Sequence, residues 1–133
     1  MLTPRISEAP MAELKAWMEK NQTQLVARGI NRIDGYYNDD QLDDQCVDQV
    51  TAYHQEGELF TSPISELTEA EEDSIIELMD ALTTSKDFFQ GGEGNSGDIR
   101  LLFGIHPTKP GPVVELAAKH LVSQNVDEEV EIY

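Results

Sequence analysis

Apolar side chains recur at helical spacing near the start of the chain. Met11, Leu14, Trp17, Met18 and Leu25 follow Pro10, which suits a first helical turn, and Gly29 stops the run. A first helix is therefore expected from Pro10 to just before Gly29. Ile30–Tyr37 (INRIDGYY) is short and carries Ile30, Ile33, Tyr36 and Tyr37, so it reads as a strand entering a turn.

Asn38 and Asp39 are good N-cap types, and a second helix fits from there to about Gln55. On a helical wheel Leu42, Cys46, Val50 and Tyr53 gather into one stripe, with Asp40, Asp44 and Asp48 opposite them. Asp39 and Asp40 would then occupy the first turn, where the helix dipole favours carboxylates. The next ten residues, EGELFTSPIS, read as a linker.

A third helix opens at Thr68, whose spacing to Glu71 is that of a capping box, with Ser65 as the alternative cap. Leu67, Ile75, Leu78, Met79 and Leu82 form its apolar stripe, while Glu69, Asp73, Glu77 and Asp80 line the other side and Ile76 lies off the stripe. Carboxylates four apart with no lysine between them cost a helix some stability.

Phe88–Gln90, the glycine-rich run Gly91–Gly97 and the alternating Ile99, Leu101, Phe103 and Ile105 predict a hairpin near 87–106. After Pro107 and Pro110, a fourth helix is expected from Pro112 to Ser123, packing Val113, Leu116, Ala117 and Leu121. The expected class is α+β: about four helices packed with a small antiparallel sheet in one domain over 10–124. Residues 1–9 read as an arm, and 125–133 as an acidic tail or an edge strand.

Charge changes this picture most. The 133 residues hold 26 acids against nine bases, a formal net charge of -17. The sequence pI is near 4.2. Such a field repels nucleic acid and anionic membranes and attracts basic surfaces. The charge is also unevenly placed. Between Arg32 and Lys86 lie 53 residues without Lys or Arg, holding 15 of the 26 acids. Random scattering would leave that window empty with a chance of about 2%.

Catalytic and metal-binding patterns fit poorly. Gly91–Gly97 has neither the lysine nor the following helix of a phosphate loop, so a hairpin turn is the better reading. Asp40/Asp43, Glu69/Glu72 and Glu77/Asp80 have a spacing that suits Mg²⁺, which makes a magnesium-dependent nucleotide hydrolase one alternative. The two-helix carboxylate arrangement of all-α nucleoside triphosphate pyrophosphatases is not met, because two of the three pairs share one helix. The calcium-loop pattern fails over Asp34–Gln45, where Tyr36 and Gln45 would have to be ligands. His54, His106 and His120 lack zinc spacing, and the single Cys46 falls on an apolar stripe and implies a reducing compartment. The start MLTPRISEAP lacks a secretory pattern, so the expected location is cytoplasmic.

The acidic rows are what remains. Residues four apart on a helix rise about 6 Å, so each row imitates the spaced charges of a nucleic-acid backbone. The expectation is a non-enzymatic inhibitor, without cofactor or metal, that occupies the basic nucleic-acid-binding surface of a partner protein or complex. A phage or mobile-element antagonist of host defence fits, and an immunity protein or antitoxin against a basic nuclease is the second alternative. Direct nucleic-acid or membrane binding is not expected. The candidate partner-binding residues are Asp39, Asp40, Asp43, Asp44, Asp48, Glu69, Asp73, Glu77 and Asp80, with Ile76, Tyr36 and Tyr37 as apolar anchors.

Overall fold

The computed structural model describes residues 8–38, 47, 49–56, 60–64, 67–83, 95–104, 111–120 and 129–132. These form helices α1 (Glu8–Ala27) and α2 (Glu69–Thr83) and strands β1 (Arg32–Asn38), β2 (Val50–Glu56), β3 (Phe60–Ile64), β4 (Asn95–Phe103), β5 (Pro112–His120) and β6 (Glu129–Ile132). The strands make one six-stranded sheet in the order β3-β2-β1-β4-β5-β6. Every ladder in it is antiparallel. The α+β class holds.

α1 buries Met11, Leu14, Met18 and Leu25, the stripe its spacing predicts. It ends in a Schellman motif. The Ile30 amide donates to the Leu25 carbonyl at 2.9 Å and the Gly29 amide to that of Val26 at 2.9 Å. Gly29 supplies the positive φ of 84° that this motif needs. Leu25 and Ile30, both fully buried, close the turn from the apolar side.

α2 begins with the capping box as predicted. The Thr68 amide donates to Glu71 Oε1 at 2.9 Å, and the Glu71 amide to Thr68 Oγ1 at 3.1 Å. Two amides that the helix itself leaves unpaired are thereby satisfied. Ile75, Met79 and Leu82 are fully buried beneath it.

Both helices pack on one face of the sheet. Alternation along β1 sends Ile33, Gly35 and Tyr37 toward them and Arg32, Asp34 and Tyr36 away. Ile99, Leu101 and Phe103 of β4 and Val114 and Leu116 of β5 complete the core. α2 approaches β1 so closely that a Cβ at Gly35 would collide with Met79 Sδ. That contact, rather than a turn, explains a glycine inside a central strand.

Asn31 locks the entry to β1. Its backbone amide donates to the Tyr53 carbonyl at 3.2 Å and its carbonyl accepts from Phe103 N–H at 3.0 Å. Its side chain donates to the Gln55 carbonyl and accepts from the Gln55 amide, both at 2.8 Å. The amide group thus extends the β1–β2 ladder by one rung.

Four expectations need correction. The helix expected to reach Gln55 is not helical over Val50–Glu56, which is strand β2. Val50 and Tyr53, placed on one helical stripe, fall on opposite faces of that strand: Val50 pairs with the inward Gly35 and Tyr53 with the outward Arg32. The expected linker contains strand β3. The expected fourth helix is strand β5, where Val114 and Leu116 alternate into the core and the β-branched Val113–Val114 pair resists helix. The described residues therefore hold two helices rather than four. Finally, β4 is filled on both edges by β1 and β5, so its hairpin partner is β5. Phe88–Gln90, Gly91 and Ile105 lie outside the described residues.

Candidate functional site

Two surfaces on opposite sides of the sheet carry the charged groups. The first is the outer face of α2. This helix holds six acids in 15 residues and no base. Glu69, Asp73 and Glu77 are exposed at successive spacings of four, with Glu72 beside them. Asp80, the last member of the expected row, is half-buried, and its Oδ1 accepts from the Val47 amide at 3.2 Å. It is thus tied to the segment that leads into β2. Ile76 is half-buried.

The helix start is fixed from the turn after α1. Arg28 Nη2 donates to Glu71 Oε2 at 2.6 Å. Burial pushes the Glu71 carboxyl up, but the hydrogen bonds from Arg28 and Thr68 and the Arg28 charge outweigh it and leave its pKa lowered.

The second surface is the sheet face turned away from the helices. Asp34 lies at its centre. Arg32 donates from Nε to Asp34 Oδ1 at 2.9 Å and from Nη2 to Oδ2 at 2.6 Å. Arg100, opposite Asp34 on β4, donates from Nε to Oδ1 at 3.2 Å and from Nη1 to Glu115 Oε1 of β5 at 3.1 Å. Arg32 also reaches Gln55 Oε1 at 3.0 Å, and its guanidinium carbon stands 5.1 Å from the centroid of the Tyr53 ring. The hydrogen bond to Asp34 holds the Arg32 pKa above its ordinary value against the opposing effect of burial.

Beside this network is an open cleft of about 290 Å³ lined by Asp34, Gly35, Tyr36, Gln49, Thr51, Tyr53 and Asp98. Cross-strand register builds it. Tyr36 stands opposite Asp98, and Asp34 opposite Thr51. Tyr36 is 47% exposed, whereas Tyr37, the neighbouring candidate anchor, is 1% exposed and belongs to the core.

The remaining candidates divide simply. Asp39, Asp40, Asp43, Asp44 and Asp48 lie outside the described residues, as do Cys46 and His106. His54 has a structural role: its Nδ1–H donates to the Gly29 carbonyl at 2.7 Å, bracing the turn after α1. Among the described residues no three His, Cys, Asp or Glu side chains are grouped to hold a metal ion. Among them, too, no helix is long and apolar enough to cross a membrane.

Sequence reasoning missed the Arg32–Asp34–Arg100–Glu115 network. The Arg32-x-Asp34 spacing was a usable signal, because residues two apart on a strand share a face. The other two members depend on the β1–β4 and β4–β5 registers, which no local pattern encodes. Comparison with protein-family models, with curated proteins and with solved structures finds no match to this chain.

Proposed function

We propose that this chain is a small, non-enzymatic acidic protein that occupies the basic nucleic-acid-binding surface of a partner protein. A phage or mobile-element antagonist of host defence is the setting it suits. The observation that carries the reading is the face of α2, where Glu69, Asp73 and Glu77 stand exposed in a row on a helix without a single lysine or arginine. Asp73 and Glu77, four apart and beyond the first turn, repel one another and add nothing to the helix they sit on.

The arginines support the same reading. Arg28, Arg32 and Arg100 are all engaged by carboxylates of this chain, at Glu71, Asp34 and Glu115. They neutralise partners close to the sheet and helix ends and leave the α2 row uncompensated. A net charge of -17 then steers basic surfaces toward the molecule, with a strong dependence on salt.

The test is competition. The immobilised chain is exposed to host extract at low salt, and a retained protein is purified and assayed for release of a labelled DNA or RNA duplex. Displacement of the duplex by the wild-type chain, lost in Glu69→Gln/Asp73→Asn/Glu77→Gln, is the expected result. A partner that holds duplex and chain together, or one that binds the triple variant equally well, would sink the reading.

A further inference from the structure

The cleft on the open sheet face has a lining that selects for a particular ligand chemistry. Two carboxylates, Asp34 and Asp98, and two phenol rings, Tyr36 and Tyr53, contribute to it, together with Gln49 and Thr51. Anions are disfavoured there. The nearby guanidinium groups of Arg32 and Arg100 are turned onto Asp34 and Glu115, and among the described residues no basic side chain lines the cleft. A cation with a flat, delocalised charge is favoured, because it can stack on a ring while donating to a carboxylate.

The same surface already holds such a group. Arg32 is bidentate on Asp34 and lies over the Tyr53 ring at 5.1 Å. Tyr36 and Asp98, directly opposite each other on β1 and β4, repeat the ring-and-carboxylate pairing within the lining of the cleft. Tyr36 is one of two large apolar side chains exposed among the described residues. A carboxylate has about four acceptor positions, so Asp98 can take a further donor alongside the interactions it makes within the chain. The volume, about 290 Å³, sits at the lower bound of small-molecule sites, roughly 300–1,000 Å³, and suits a single side chain.

We propose that this cleft is a receptor for an arginine side chain of a basic partner protein, stacked on Tyr36 and hydrogen-bonded to Asp98. The inference stands apart from the reading of α2, because the two surfaces lie on opposite sides of the sheet. It also gives the molecule a short-range specificity element that net charge alone cannot supply.

The experiment is a backbone-amide NMR titration of the ¹⁵N-labelled full chain at physiological salt. The probe is an acetylated, amidated hexapeptide of alternating glycine and arginine, compared with the same peptide carrying neutral citrulline and with one carrying lysine. The arginine peptide is expected to shift Tyr36, Thr51, Tyr53 and Asp98, the lysine peptide to bind several-fold more weakly, and the citrulline peptide not to bind. Tyr36→Ser, at an exposed ring, should weaken arginine-peptide binding about fivefold, the loss of one cation–π contact. Thr51→Lys, which puts an ammonium at the rim of an intact sheet, should abolish it. The α2 variant Glu69→Gln/Asp73→Asn/Glu77→Gln should leave the cleft shifts in place, which separates this inference from the preceding one. Shifts confined to α2, equal binding of the lysine peptide, or full binding by Thr51→Lys with an otherwise unchanged spectrum would each overturn the assignment.

Discussion

Arg28 and Glu71 meet at 2.6 Å, joining the residue that follows α1 to the first turn of α2 across 43 positions of sequence. Glu71 also caps its own helix through Thr68, so one carboxylate serves two elements. Its pKa is lowered because those bonds outweigh the effect of burial. The stability it contributes is therefore complete above the ordinary carboxylate range and is lost as pH falls through the lowered folded value. Glu71→Gln keeps a side chain able to cap but removes the charge pair, and is expected to cost about 1–2 kcal/mol near neutral pH. Urea unfolding at neutral and acidic pH checks this: the gap between wild type and Glu71→Gln should close in acid. A gap independent of pH would show that the ion pair contributes nothing.

Gly35→Ala tests the contact between α2 and β1. The added Cβ collides with Met79 Sδ and comes within 3.4 Å of Val50 Cγ1. Overpacking of this kind is expected to cost about 1–3 kcal/mol. Met79→Ala alone leaves a cavity under a fully buried side chain and is expected to cost about 2–5 kcal/mol. Because the clash needs both groups, the double variant should be more stable than the sum of the two losses allows. Strict additivity in denaturant midpoints would mean that α2 does not rest on Gly35.

Asn31→Ala removes the side-chain rung to Gln55 while leaving the backbone bonds to Tyr53 and Phe103. The loss of two hydrogen bonds between the entry to β1 and the end of β2 is expected to cost about 1–3 kcal/mol. Hydrogen exchange gives the more specific readout. The Gln55 amide should lose protection while amides in the β4–β5 ladder keep theirs, and uniform loss across the sheet would instead report global destabilisation.

The sequence made α1, β1 and α2 legible because each carries its own punctuation. Gly29 stops α1 and Thr68 with Glu71 starts α2, so both ends are set by residues adjacent in the chain. β2 and β5 were misread for a physical reason. Val50-x-x-Tyr53 and Val113-x-x-Leu116 satisfy a helical period locally, yet their fate is decided outside that window, by the preceding strands β1 and β4, which pair with them and offer an apolar face. The candidate cleft shares that origin, since Tyr36 and Asp98 are 62 positions apart and meet only through the β1–β4 register. The α2 acids were visible because a helix projects its own neighbours to one side. Asp80 shows the limit of that view, since its position on the wheel gave no hint of the Val47 amide it holds.

The exposed acids of α2 lead to a prediction that runs against ordinary surface mutagenesis. Asp73 and Glu77 are four apart, exposed, beyond the first turn, and have no basic neighbour on their helix. Their mutual repulsion costs about 0.2–0.5 kcal/mol at low ionic strength and is screened by salt. Asp73→Asn/Glu77→Gln should therefore unfold at the same or slightly higher denaturant concentration than wild type in dilute buffer, with the difference vanishing near molar salt. Glu69 is left unchanged in this variant because the helix dipole favours a carboxylate in the first turn. A loss of stability in dilute buffer would assign these two acids a role in holding the fold. Unchanged or increased stability, combined with weaker partner binding, would place their contribution in the surface they present rather than in the helix that carries them.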